Sequence, residues 1–230
     1  MSSSLVFLII LFAALCHASW SAIVKKSKNS LAIMAFTSII EIIVFLPLVF
    51  FVPFPTVDIW YFLIATTILH GFYRYSVITS YNYADLSFVY PIARGGSCFI
   101  IGVISLFLLS NNISFFGIIG ILVTCLGLFM IAFMSAKKFN QKGFLLAILT
   151  AVLIATYTII DGIGVRSTEN EFTYIFWMLL LNGIPMLIYA LISKNGFRKK
   201  NTYSLIEGTS AGVLAILGYG LVVWSMQFIE

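Results

Sequence analysis

Residues 83–96, YADLSFVYPIARGG, open an apolar run with Tyr83, Asp85, Tyr90, Pro91 and Arg94. On a helix Tyr90 and Arg94 stand one turn apart and share a face, while Pro91 between them withdraws a backbone donor and loosens the turn. A guanidinium roughly 10 Å along a bilayer span, at about 1.5 Å per residue, is too costly to face lipid. Arg94 is therefore expected to look into a protein cavity, where a solute can be read.

Composition sets the class around this stretch. Hydrophobic residues make up 61% and charged residues 9% of the 230, too little polar surface to cover a soluble globule. The chain reads as a polytopic membrane protein. Cys16, Cys98 and Cys125 all lie in apolar runs, with no CxxC pair and no nearby His or Asp to complete a metal set, so they read as small packing residues. The net charge of +5 does not point to nucleic acid, because the lysines fall in short loops where they act as topology signals.

Runs of about 20 apolar residues separated by short polar breaks predict eight spans: Leu5 to Val24, Leu31 to Val52, Ile59 to Ser80, Ser87 to Leu109, Phe115 to Met134, Gly143 to Asp161, Tyr174 to Ile192 and Leu205 to Gln227. In hydrocarbon each backbone amide must be satisfied within its own segment, so the spans are helices. The first run, with CHAS behind it, has some likeness to a secretion signal. No Lys or Arg precedes it, however, and it continues to Val24 before meeting Lys25, Lys26 and Lys28, which is the order of a retained span.

The loops agree with one another. Lys25, Lys26 and Lys28 follow span one; Lys137, Lys138 and Lys142 follow span five; Lys194, Arg198, Lys199 and Lys200 follow span seven. All follow odd-numbered spans, so the positive-inside rule makes their side cytoplasmic. The loops around Pro53 and Pro55, around Asn111 and Asn112, and from Arg166 to Glu171 carry one basic residue between them. The chain is expected in a cell membrane with its N-terminus, and its C-terminus, outside.

An internal repeat follows. ASWSAI (18–23) lines up with ATYTII (155–160), Pro47 with Pro185, and SYNYAD from Ser80 with SMQFIE from Ser225. The period is roughly 140 residues, or five spans; five is odd, so the second copy enters the membrane from the opposite side, as in inverted-topology transporters. Residues 1–136 form the first five-helix repeat and 143–230 an incomplete second one of three helices. The expected fold is an all-α bundle of eight transmembrane helices in an inverted 5+3 arrangement, a shortened 5+5. On this arithmetic two helices are expected either as a truncation or from a partner subunit.

HASWSAIVK at the end of span one, YADLSFVYPIARG entering span four and YTIIDGIGVR leaving span six resemble the EamA-type carriers of the drug/metabolite transporter superfamily. The resemblance covers essentially the whole chain, and the YPIAR segment is its most specific part. It implies a ten-helix carrier of two inverted five-helix halves that moves small metabolites or organic solutes through a central cavity. Ser21 stands where asparagine is expected in many relatives, and the final two helices are absent.

Intramembrane polar residues supply the candidate site. Glu41 sits about 15 Å from the inner face, and Arg74 and Arg94 about 10 Å from it. These three are expected either to line one wet cavity, with an arginine on an anionic or polar solute and Glu41 as counter-ion or proton site, or to form a structural ion pair locking helices two to four. His17 and Trp20 lie near the motif of span one, and His70 is one turn from Arg74; an imidazole can carry a coupling proton, or simply hydrogen-bond a neighbour. Asp161, at the outer end of span six, is expected in the interface, to cap or to pair with Arg166, with substrate contact as the alternative. Among the tyrosines, Tyr90 and Tyr157 are assigned to the cavity, and Tyr81 and Tyr83 to the interfacial belt. Gly95, Gly96 and Gly102 in span four and Gly117, Gly120 and Gly127 in span five fit close helix packing. The substrate-binding set is therefore Arg94, Tyr90, Arg74, Glu41, His17, Trp20 and Tyr157.

Enzyme signatures do not appear. No GxxxxGK[ST] or HExxH run is present, and two histidines on separate spans make thin material for a metal. No catalytic residue, metal or cofactor is expected. The partners expected are a small-molecule solute and the bilayer, with a homo-oligomer or partner subunit as a possibility. The function expected is gradient-driven transport by alternating access; its rivals are a non-transporting membrane component and a lipid-acting membrane enzyme.

Overall fold

A computed structural model describes residues 3–107, 113–135, 139–193 and 205–228. Lys137, Lys138, Lys194, Arg198, Lys199 and Lys200 lie outside these residues, as do Asn111, Asn112, the Leu109 end of span four and Glu230. The described residues form eight long helices and no strand: α1 Ser3–Lys26, α2 Ser30–Leu48, α3 Val57–Ser80, α4 Leu86–Phe107, α5 Phe115–Ser135, α6 Gln141–Arg166, α7 Glu171–Ile192 and α8 Leu205–Ser225.

Seven of these are long and apolar enough to cross a membrane. The eighth, α3, falls outside that criterion and carries Asp58, His70 and Arg74 in its 24 residues. Its faces still divide in the manner of a span. Thr66, His70 and Arg74 are buried, whereas Tyr61, Ile64, Ile68 and Phe72 are exposed.

Local signals explain the helix ends. Asn29 caps α2 by accepting from the Ala32 amide at 3.1 Å, and Asn170 caps α7 through the Phe172 amide at 3.0 Å. Asn140 does the same for α6, accepting from Gly143 N at 3.0 Å. Pro47, in the last turn of α2, gives way to a 3₁₀ turn at Val49–Phe51 and extended backbone at Val52. Inside the helices, hydroxyls turn back on their own backbone: Thr37, Ser38, Thr67, Thr79, Thr150 and Thr156 each donate to the carbonyl four residues earlier. This is how a hydroxyl is satisfied where water is scarce.

Packing divides the chain into two compact units, residues 1–71 with 160–230 and residues 72–159, so that α3 and α6 contribute to both. In the first unit α1 packs on α8, and α2 on α7 and α8. Glycines make these approaches possible. A Cβ at Gly208 would come within 2.6 Å of Phe36, and one at Gly212 within 2.7 Å of Ile40. Gly208 and Gly212 are four apart on α8, and Phe36 and Ile40 four apart on α2, so two side chains of one helix seat against two bare turns of the other. At one end of this unit Phe54, Trp60 and Trp177 meet edge to face or tilted, with ring centroids 5.3 to 5.7 Å apart.

In the second unit α4 packs on α5. Gly95 lets the backbones approach, a Cβ there lying 3.2 Å from Leu128, and Cys125 Sγ donates to the Gly95 carbonyl at 3.3 Å. Gly96 meets Ala151 and Gly102 meets Ile121, as expected of packing glycines. Span five differs: a Cβ at Gly120 or Gly127 would meet nothing within 4 Å, and one at Gly117 would meet Ile113 and Ser114 of its own helix start. The reason is orientation. On α5 Leu122, Val123, Leu126 and Met130 are exposed and only Cys125 and Ala132 buried, so a single edge touches protein. Ser76 and Thr150 bond hydroxyl to hydroxyl at 2.8 Å, tying α3 to α6 within this unit.

Candidate functional site

The polar residues of the first unit converge inward from several helices. One of the most enclosed is Asp161, with no exposed surface. It is not at a helix end: α6 continues through Gly162, Ile163, Gly164 and Val165 to Arg166. The expected pairing with Arg166 is replaced by hydroxyl contacts. Tyr174 Oη of α7 donates to Asp161 Oδ1 at 2.8 Å and Tyr219 Oη of α8 donates to Oδ2, with Thr66 of α3 beside the same carboxyl group. Arg166 instead donates from Nη1 to the Met226 carbonyl at 2.8 Å, fastening the end of α6 to the end of α8.

His70 joins this cluster. Its Nδ1 lies 3.1 Å from Thr66 Oγ1 and 3.0 Å from the Thr66 carbonyl oxygen, and its ring meets Tyr219 edge-on with centroids 5.0 Å apart. Asp161, Thr66, His70, Tyr174 and Tyr219 thus form one polar group drawn from four helices.

A second group lies between α2 and α7. Glu41 is 1% exposed, and its Oε2 would sit 3.4 Å from a Cβ built on Gly183. The neighbouring Asn182 has no exposed surface, and neither its Oδ1 nor its Nδ2 makes a hydrogen bond within the protein. A buried amide without partners is rare, because burial removes the water that would otherwise satisfy it. On α1 the His17 and Trp20 rings stack with centroids 5.2 Å apart. Neither ring nitrogen of His17 nor Nε1 of Trp20 finds a hydrogen-bond partner.

The remaining candidates belong to the second unit. Arg94 Cζ stands 5.5 Å from the centre of the Tyr90 ring, the one-turn pairing expected on α4, and both side chains are half-buried. Arg74 is 5% exposed. Tyr157 is 1% exposed and packs edge-on against Tyr73 at 5.3 Å. Of the two tyrosines expected in the interfacial belt, Tyr83 is exposed and lies 5.7 Å from the Lys142 ammonium, whereas Tyr81 is buried. Glu41, His17 and Trp20 accordingly sit in one unit and Arg74, Tyr90, Arg94 and Tyr157 in the other.

Sequence reasoning missed Asn182, Thr66, Tyr174 and Tyr219 as members of these groups and placed Asp161 at an interface. Asn182 carried a signal that could have found it: an amide in the middle of the apolar run LLLNGIP has to face protein. Among the described residues no set of three or more His, Cys, Asp and Glu side chains is arranged to hold a metal ion. An apolar groove of about 390 Å³ opens among α1, α2, α7 and α8, walled by Ile9, Phe45, Phe176 and Trp224. It offers no polar group to orient a solute.

Long apolar helices that turn acids, amides and imidazoles inward define a multi-pass membrane protein. Residues 141–230 match the model of the EamA-like transporter family. Comparisons with curated proteins and with solved structures return no match.

Proposed function

We propose that this protein carries small metabolites or organic solutes across a cell membrane by alternating access, driven by a solute or ion gradient. The observation that carries the reading is Asn182: a fully buried amide with no partner in the protein, beside the buried Glu41, on helices whose outer faces are apolar. Such an amide is a recognition group waiting for a polar guest. In the first unit the solute contacts are Asn182, Glu41, His17 and Trp20. In the second unit, taken by itself, Arg94 with Tyr90, Arg74 and Tyr157 is the group suited to an anionic or flat substrate.

All eight helices span the bilayer in this proposal, with the repeats at 1–136 and 143–230 inverted and the lysine loops cytoplasmic. Two contacts support the parity on which this rests. Lys142 on Tyr83 joins the loop after α3 to the start of α6, and Arg166 on Met226 joins the ends of α6 and α8.

A thermal-shift screen of metabolites on the purified protein, followed by uptake of each stabilising compound into proteoliposomes, tests the function. Saturable uptake that is lost in Asn182→Leu is the expected result. Compounds that bind but never enter the vesicles under any gradient would overturn it.

A further inference from the structure

We propose that Asp161 holds a coupling proton; this rests on the carrier reading and assigns its driving ion. Asp161 is fully buried in α6, roughly 7.5 Å along the helix from its end at Arg166 at about 1.5 Å per residue. The groups facing it come from every helix packed around it. α3 presents Thr66 and His70, α7 presents Tyr174 and α8 presents Tyr219; on its own helix the charged residue is Arg166, turned to the Met226 carbonyl.

The partners that touch the carboxyl group are therefore all hydroxyls. A carboxylate inside a membrane span needs either a counter-charge or a proton, and hydroxyl donors offset its desolvation only in part. The hydroxyls suit a proton better than a fixed ion pair does. Each can donate to the ionised acid and then rotate to accept from the protonated one, so both states are satisfied without moving a helix.

The test uses the full chain in lipid nanodiscs. Infrared difference spectra between alkaline and acid buffer are expected to show the carbonyl stretch of a protonated carboxylic acid. That stretch disappears in Asp161→Asn. If Asp161→Asn is not recovered folded, Asp161→Glu is expected to shift the same stretch. A stretch unchanged in position and size in either Asp161 variant overturns the proposal.

Proteoliposomes separate this from the reading beneath it. A carrier coupled through Asp161 loses proton-driven accumulation in Asp161→Asn and keeps equilibrium exchange. Undiminished proton-driven accumulation in that variant removes Asp161 while leaving the carrier intact. The carboxyl signal without solute movement under any gradient leaves the proton site standing and removes the carrier.

Discussion

Gly218 of α8 backs directly onto the main chain of His17 in α1: a Cβ at position 218 would lie 3.1 Å from the His17 amide nitrogen and 3.3 Å from the Ala13 carbonyl oxygen. Backbone cannot move aside as a side-chain tip can. The contact thus sets the separation of α1 and α8, and with it the placement of His17 and Trp20 relative to the other inward-facing residues of this unit.

Gly218→Val is accordingly expected to destabilise the protein by about 1–3 kcal/mol, the range for overpacking a tight interior. Gly120→Ala, where the added carbon meets open space, is expected to stay within about 0.5 kcal/mol of wild type. Thermal unfolding in a mild detergent, followed by tryptophan fluorescence, distinguishes the two. Equal melting temperatures for both variants would show that the α1–α8 contact is not close-packed.

Asn182→Leu separates recognition from stability. Removing a buried amide without partners relieves a desolvation cost of about 1–3 kcal/mol, so this variant is expected to melt at or above the wild-type temperature. Solute uptake in proteoliposomes is expected to fall at least tenfold, about 1.4 kcal/mol. A variant that is both less stable and fully active would assign Asn182 to packing.

Arg94→Ala is expected to abolish solute movement while the protein still reaches the membrane. Arg94→Lys keeps a cation but loses the planar face that stacks on Tyr90, and is expected to retain part of the rate. Uptake by reconstituted vesicles, normalised to inserted protein, gives the answer. Unchanged uptake in the alanine variant would remove Arg94 from the solute-binding group.

Orientation is open to a direct measurement. A cysteine introduced at Lys28, which is exposed between α1 and α2, is expected to react with a membrane-impermeant maleimide only after the cells are permeabilised. The reaction should be read in a background where Cys16, Cys98 and Cys125 are replaced by serine or alanine. Labelling in intact cells would invert the topology.

The helices themselves were legible because apolar runs of this length have few other uses, and seven of the eight read as spans on composition alone. The eighth shows where that signal weakens: Asp58, His70 and Arg74 dilute α3, although its polar residues are turned inward. The site was legible only where charge marked it. Arg94 and Tyr90 pair as their spacing requires, since one helical turn is a local rule. Asp161 was misplaced because an apolar run appears to stop at the first charge, whereas the backbone continues as helix for another turn. Tyr174 and Tyr219 could not be singled out, because a helix apolar on every side has no periodicity to show which face meets its neighbours.

The hydroxyls that fold back on their own helices narrow what the protein can recognise. A threonine such as Thr37 or a serine such as Ser38, already donating to the turn behind it, has no proton left to donate to a passing molecule. On the proposed carrier function, the interior of the first unit therefore speaks to a solute through a short vocabulary of amide, acid and ring. A short vocabulary favours tolerance: many compounds of similar size and polarity would be admitted, and discrimination among sugars or other polyols by matching each hydroxyl would be poor.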